Sequence, residues 1–133
     1  MSARKVLDSY ALIAFFENQI GADKVSDLIK QARDSQTFLL LSLVNWGEVY
    51  YILYRAAGKQ QAELALQSID TLPIEIIPAD REMTALAARL KATHKMSYAD
   101  CFAAALAETK RAELITGDKE FKAVEKHIRI IWL

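Results

Sequence analysis

The chain has 133 residues, 53% of them hydrophobic, which is enough for one domain with a real core and too little for a second. Lys+Arg and Asp+Glu balance at 17 each, which excludes the global basic field of a protein that coats duplex nucleic acid and makes any nucleic-acid contact local. A single cysteine, Cys101, excludes an internal disulfide framework and a multi-cysteine metal site, and fits a reducing compartment.

The opening segment, MSARKVLDSY, meets a charged residue early. No apolar run approaches the ~20 residues that span a bilayer, so no membrane segment is expected and the chain reads as cytoplasmic. Residues 4–8, RKVLD, are short and β-compatible, and they run straight into YALIAFFENQI, whose apolar spacing suits a buried helix. Gly21 breaks that pattern, and Ala22 to Arg33 reads as an amphipathic helix. TFLLLS at 37–42 is almost wholly apolar, as a strand covered on both faces would be. From Val44 to Ala57, Val49, Ile52, Leu53 and Ala56 recur at helical spacing, with Gly58 as the expected C-cap, and a further helix runs from Gln60 to about Asp70.

Pro73 and Pro78 bracket IEII, too short for a helix and rich in β-branched residues, hence a third strand. Asp80 opens a helix on Met83, Leu86, Ala87 and Leu90, which ends near the basic residues Lys91, His94 and Lys95, the polarity that a helix dipole favours. Ser97 starts the helix YADCFAAALAETKR, ELIT at 113–116 is a strand, Gly117 turns the chain, DKEFKAVEK forms a short helix and IRIIWL a last strand. Strands separated by helices predict a three-layer α/β/α fold around a central, mainly parallel sheet of about five strands.

In such sheets ligands bind beyond the carboxyl ends of the strands. Four acids are expected on that rim: Asp8 after the first strand, Glu48 in the helix after TFLLLS, Asp100 in the first turn of the helix opened by Ser97, and Asp118 past ELIT. Each has a bland reading. Asp8 and Asp118 are good N-caps, and Asn45-Trp46-Gly47-Glu48 and Ser97-Tyr98-Ala99-Asp100 have capping-box spacing. Against it, Glu48 shares a face with Val44 and Ile52, and Asp100 heads a stripe of Ala103, Ala104 and Ala107, where a carboxylate needs a partner. Like charges ~4 Å apart repel by several kcal/mol in partly buried surroundings, and a hard divalent cation resolves the conflict. An oxygen-only donor set points to Mg²⁺ or Mn²⁺ and to phosphodiester hydrolysis.

The segments VLDSYALIAFF, SLVNWGEVYYIL, YADCFAAALA and ELITGDKEF, in that order, resemble the PIN-domain nucleases, and in particular the VapC toxins of VapBC toxin–antitoxin pairs. The resemblance covers the whole chain, 1–133, as a single PIN domain. It implies Asp8, Asp100 and Asp118 as metal ligands and Glu48 as a ligand, directly or through water, that orients the attacking water. Ser9 and Thr116 match positions where the family often has a hydroxyl supporting the carboxylates. It further implies a Mg²⁺- or Mn²⁺-dependent endoribonuclease acting on RNA such as tRNA or rRNA, a homodimer, and a VapB-like antitoxin whose C-terminal segment blocks the acidic pocket.

Glu120 reads as a solvated first-turn acid outside the site. Arg55, Lys91, Lys95 and Lys119 are the cations best placed to hold phosphates, although solvated helix faces explain each. His94 and His127 are isolated from ligand spacing, and Cys101 reads as a small core residue. The aromatics Phe15, Phe16, Tyr50, Tyr51 and Tyr54 are expected in the core and a dimer interface. Two alternatives remain: a Mg-binding receiver-like signalling module, which needs paired acids after its first strand where only Asp8 stands, and a PIN-like binding domain without activity.

Overall fold

A computed structural model describes residues 4–133; the reading of the extreme N-terminus falls partly outside these residues. The strands are Lys5–Leu7 (β1), Leu39–Ser42 (β2), Ile74–Ile77 (β3), Glu113–Thr116 (β4) and Ile130–Trp132 (β5). Between them lie α-helices Ser9–Phe16 (α1), Ala22–Asp34 (α2), Leu43–Ala57 (α3), Lys59–Thr71 (α4), Arg81–Thr93 (α5) and Tyr98–Lys110 (α6), with a 3₁₀ helix at Lys119–Val124. No helix among the described residues is long and apolar enough to cross a membrane.

The strands form one sheet in the order β3-β2-β1-β4-β5, every neighbouring pair parallel. Side chains on successive strand residues point to opposite faces, and the sheet feeds two cores in that alternation. Val6, Leu40 and Leu114 pack with Met83, Ala87, Leu106 and Phe121 under α5 and α6. Leu7, Leu41 and Ile115 pack with Leu12, Val25, Val49 and Ile69 under α1–α4. This is the three-layer α/β/α arrangement around a parallel sheet that the sequence predicts. The order differs from the 2-1-3-4-5 of receiver domains, which removes the receiver alternative.

The chain steps outward from β1 to β2 and β3, then returns to place β4 on the other side of β1. The strand order therefore reverses between β1 and β4, and the crevice beyond their carboxyl ends is where an open α/β sheet binds ligands. Helix α6 lies over this junction, touching β1, β2, β4, α3 and α5. Its residues from Asp100 through Ala107 are all buried. A helix apolar on every side is a core helix, and the small side chains Ala103, Ala104, Ala105 and Ala107 let it sit close to the sheet.

Local signals set most of the helix starts. Asp80 caps α5 by accepting from Met83 N at 2.8 Å, and Ser97 caps α6 by accepting from Asp100 N at 3.1 Å. Gly58, at φ +90°, closes α3 by donating to Tyr54 O at 3.0 Å, the left-handed side of φ that glycine adopts without strain.

Some boundaries differ from expectation. Helix α1 ends at Phe16 because Asn18 turns to φ +51°, so ENQI is not helical. The apolar run at 37–42 enters the sheet only at Leu39, leaving Phe38 59% exposed. The last helix is 3₁₀, the form used for short pieces between tight ends. The cap of α3 is Ser42, whose Oγ accepts from Val44 N at 3.2 Å; Asn45 lies within the helix and the expected Asn45–Glu48 box does not form. Strand β2 passes into α3 without a loop, so the first hydroxyl takes the cap. Ser42→Ala should therefore lower stability by about 1 kcal/mol, read as a shift in the urea midpoint with the m-value unchanged.

Candidate active site

Asp8 directly follows β1 and Asp118 stands two residues past β4, on either side of the crevice where the strand order reverses. Asp8 is only 1% exposed and both its oxygens are engaged. Oδ1 accepts from Ala11 N at 2.9 Å and caps α1, while Oδ2 accepts from the Thr116 hydroxyl. Thr116 Oγ1 in turn accepts from Asp118 N at 2.9 Å. The threonine thus ties the two acids across the crevice. Burial pushes the Asp8 carboxyl up to about 7, against the lowering by its Thr116 and Ala11 hydrogen bonds and with help from the charges of Asp118 and Glu48.

Asp100 comes from the first turn of α6. Burial pushes its carboxyl up to about 8, reinforced by the charge of Asp118, a hydrogen bond with Glu120 and the charge of Asp8, and opposed by the Ser97 hydrogen bond. The capping box expected at Ser97–Asp100 is half formed. Ser97 does cap Asp100 N, but the Ser97 N–H donates to Glu120 Oε1 at 3.1 Å. A residue from the turn after β4 has taken the place of the reaching-back acid, and the Asp100 carboxyl stays in the crevice.

One oxygen each from Asp100, Asp118 and Glu120 lies within 4.8 Å of the others. Asp118 Oδ1 accepts from Glu120 N at 2.9 Å and so caps the 3₁₀ helix. Glu48, from the second turn of α3, sits beside this group rather than in it. Its Oε1 accepts from Ser9 Oγ at 2.5 Å and from Asn45 Nδ2 at 3.3 Å. Glu48, Asp100, Asp118, Glu120 and Ser9 all line one cleft of about 300 Å³. Among the described residues no lysine or arginine lines it.

Of the four acids picked from the sequence, Glu48, Asp100 and Asp118 line the cleft, and Asp8 is buried and tied to Asp118 through Thr116. Two of the bland readings hold as well: Asp8 and Asp118 are caps, whereas the Asp100 carboxylate does not reach back to Ser97 N, which Glu120 takes. Capping uses one oxygen of Asp8 and one of Asp118, so it does not compete with clustering.

Glu120 is the acid that the sequence reading set aside. The only signal for it is the two-residue step from Asp118, which puts both on one tight turn. Asn45, read as a cap, is instead a buried partner of Glu48. The candidate cations are elsewhere engaged or on the surface: Arg55 lies 5.1 Å from the centroid of the Tyr51 ring, Lys91 Nζ donates to Met96 O at 2.8 Å, and Lys95 and Lys119 are exposed. Phe15 and Phe16 meet edge to face and are partly buried, whereas Tyr51 and Tyr54 are nearly half exposed. Cys101 is buried in the core and its burial pushes the thiol up, away from nucleophilic use.

The arrangement offers oxygen donors only, in a cleft that no described lysine or arginine lines, with two carboxyls held above their ordinary range by burial and mutual repulsion. This is the donor chemistry of a hard divalent cation, which would neutralise what the protein itself leaves uncompensated.

Residues 5–127 match the PIN domain family. Among solved structures, the fold is similar to VapBC2 from Rickettsia felis bound to a promoter DNA fragment, with TM-score 0.79 and 17% identity over 97% of this chain and 98% of that one. It is similar to the DNA-bound VapBC of Salmonella typhimurium, with TM-score 0.77 and 15% identity over 98% of each chain. VapC20 of Mycobacterium tuberculosis, a toxin that cleaves the sarcin–ricin loop, gives TM-score 0.73 and 16% identity over 90% of this chain and 94% of that one. At these identities the likeness is one of fold. Among curated proteins no sequence relative matches.

Proposed function

The chain belongs to the PIN domain family, and from that premise we propose that it is a Mg²⁺- or Mn²⁺-dependent endoribonuclease acting as the toxin of a type II toxin–antitoxin pair. The observation that carries this reading is the meeting of Asp100, Asp118 and Glu120 within 4.8 Å, beside Asp8 and Glu48, in a cleft with no lysine or arginine in its lining.

In this reading Asp8, Asp100 and Asp118 hold the metal, with Glu120 as a further carboxylate beside them. When bound, the ion supplies Lewis acidity toward water and phosphate oxygen. Thr116 and the Ala11 amide fix the Asp8 carboxyl so that it cannot turn away from the crevice. Glu48, held through Oε1 by Ser9, orients the attacking water and takes up its proton. Phosphodiester hydrolysis then needs an RNA strand whose backbone reaches the open end of the cleft.

The VapBC complexes and the sarcin–ricin-loop-cleaving VapC20 among similar structures support RNA as substrate, with ribosomal or transfer RNA as the class, and a VapB-like antitoxin as partner. The same reading takes 1–133 as one PIN domain, forming a homodimer in the cytoplasm.

The test is cleavage of total RNA by the purified protein with Mg²⁺ or Mn²⁺. Cleavage is expected to stop with a chelator, and Asp8→Ala and Asp118→Asn should each slow it by more than about 100-fold, beyond what loss of a residue that merely supports a metal ligand costs. Equal cleavage by wild type and both variants, or none by wild type with either ion, overturns the reading.

A further inference from the structure

Asn45 is fully buried in α3, three residues before Glu48. Its Nδ2 donates to two acceptors, Glu48 Oε1 at 3.3 Å and the Ala99 carbonyl at 3.1 Å. Turning the amide over would bring Oδ1 against both acceptor oxygens, so its orientation is fixed. That orientation leaves Oδ1 as the one buried side-chain nitrogen or oxygen among the described residues without a hydrogen-bond partner. A buried unpaired carbonyl is unfavourable and calls for a reason. An apolar side chain of similar size would pack in this site without it.

The reason lies in what the NH₂ group joins. Ala99 immediately precedes Asp100 in the first turn of α6, and Glu48 belongs to α3. One amide therefore links the Glu48 carboxylate to the backbone of the turn that carries Asp100, across the contact between two helices. Ser9 donates to the same Glu48 oxygen at 2.5 Å. Oε1 is held by two donors, and no described residue donates to Oε2.

We propose that Asn45 is a positioning residue: it locks Glu48 to the turn that carries Asp100, so that Oε1 is an anchor and Oε2 is the oxygen that works in the cleft. This deepens the ribonuclease reading and rests on it. The carboxylate of Glu48 then keeps one rotation and one spacing from Asp100, set by a hydrogen-bonded bridge rather than by packing alone.

The experiment is a double-mutant cycle between Asn45→Ala and Glu48→Gln, read by calorimetric Mn²⁺ affinity without RNA and by kcat and KM for RNA cleavage. Asn45→Ala in the wild-type background should lower kcat by about 10–100-fold, with KM within about twofold, and should weaken Mn²⁺. In the Glu48→Gln background the same change should add less than about twofold to either reading, because the residue through which Asn45 acts is already disabled. Asn45→Val, which removes the unpaired carbonyl as well as the donor, should keep the wild-type melting temperature yet cleave as slowly as the alanine variant.

Equal penalties in both backgrounds, or wild-type cleavage by a fully folded Asn45→Val, overturn the proposal. Should the wild type bind Mn²⁺ but leave RNA intact, the ribonuclease reading fails while the Mn²⁺ cycle still decides whether Asn45 acts through Glu48.

Discussion

Asp100→Asn is expected to abolish RNA cleavage and, in the same protein, to raise the melting temperature of the metal-free form at alkaline pH. The two effects share one cause. Folding moves the Asp100 carboxyl from 3.8 to about 8 and the Asp8 carboxyl from 3.8 to about 7, in both cases chiefly by burial. Across that window the folded protein keeps protons that the unfolded chain has released, so stability falls as pH rises. The contribution is fully present below the unfolded value and is lost as pH passes through the folded one. Metal-free wild type should therefore melt lower at about pH 9 than at about pH 5, and the slope should be smaller in Asp100→Asn, whose amide carries no charge. Added Mn²⁺ should restore the wild type most at the alkaline end and the variant hardly at all. Thermal melts at the two pH values, with chelator and with Mn²⁺, check this. An Asp100→Asn no more stable than wild type in chelator at about pH 9 would show that the acids do not destabilise the metal-free fold.

Phe121→Ala should cost about 3–5 kcal/mol, the usual penalty for emptying a fully buried aromatic site, and it should also weaken Mn²⁺ binding. Phe121 is the largest fully buried side chain of the described residues, set in the core beneath α6 with Leu114 and Val124. It also anchors the 3₁₀ helix whose first turn carries Glu120 and is capped by Asp118. Removing the ring frees that turn while leaving Asp8 fixed by its own cap and by Thr116. The control is Ile69→Ala, a fully buried residue of α4 in the other core. It should cost about 2–5 kcal/mol with Mn²⁺ affinity unchanged. Chemical denaturation and calorimetry separate the two effects, and equal Mn²⁺ affinities in the two variants would break the link between this side chain and the metal site.

The alternation of strands and helices was legible because its signals are local. The apolar run within TFLLLS, IEII between prolines, and Asp80 and Ser97 as caps each act within a few residues, and the structure uses each of them, with the first run confined to a strand at Leu39–Ser42. Legibility failed where a contact depends on segments brought together by folding. Ser42 outcompetes Asn45 as a cap because β2 runs directly into α3. Glu120 reads as an ordinary first-turn acid until the turn after β4 is placed against the start of α6, a partner 23 residues earlier in sequence. The four acids were picked out by their positions at strand ends and helix starts, and the structure brings Glu48, Asp100 and Asp118 into one cleft. Their hydrogen-bond partners could not be found that way, since Thr116 meets Asp8 only when β1 and β4 pair.

The junctions that carry the acids have almost no slack. Asp8 alone separates β1 from α1, and Ser42 is both the last residue of β2 and the cap of α3. Only Gly117 and Asp118 lie between β4 and the 3₁₀ helix. A rim assembled from such short joints has nothing long enough to fold over a bound strand. For the ribonuclease proposed above, choice among RNAs would then fall to the nucleic acid: a strand able to bend a single phosphate into a fixed notch would be cut, and one held straight by its own pairing would be passed over.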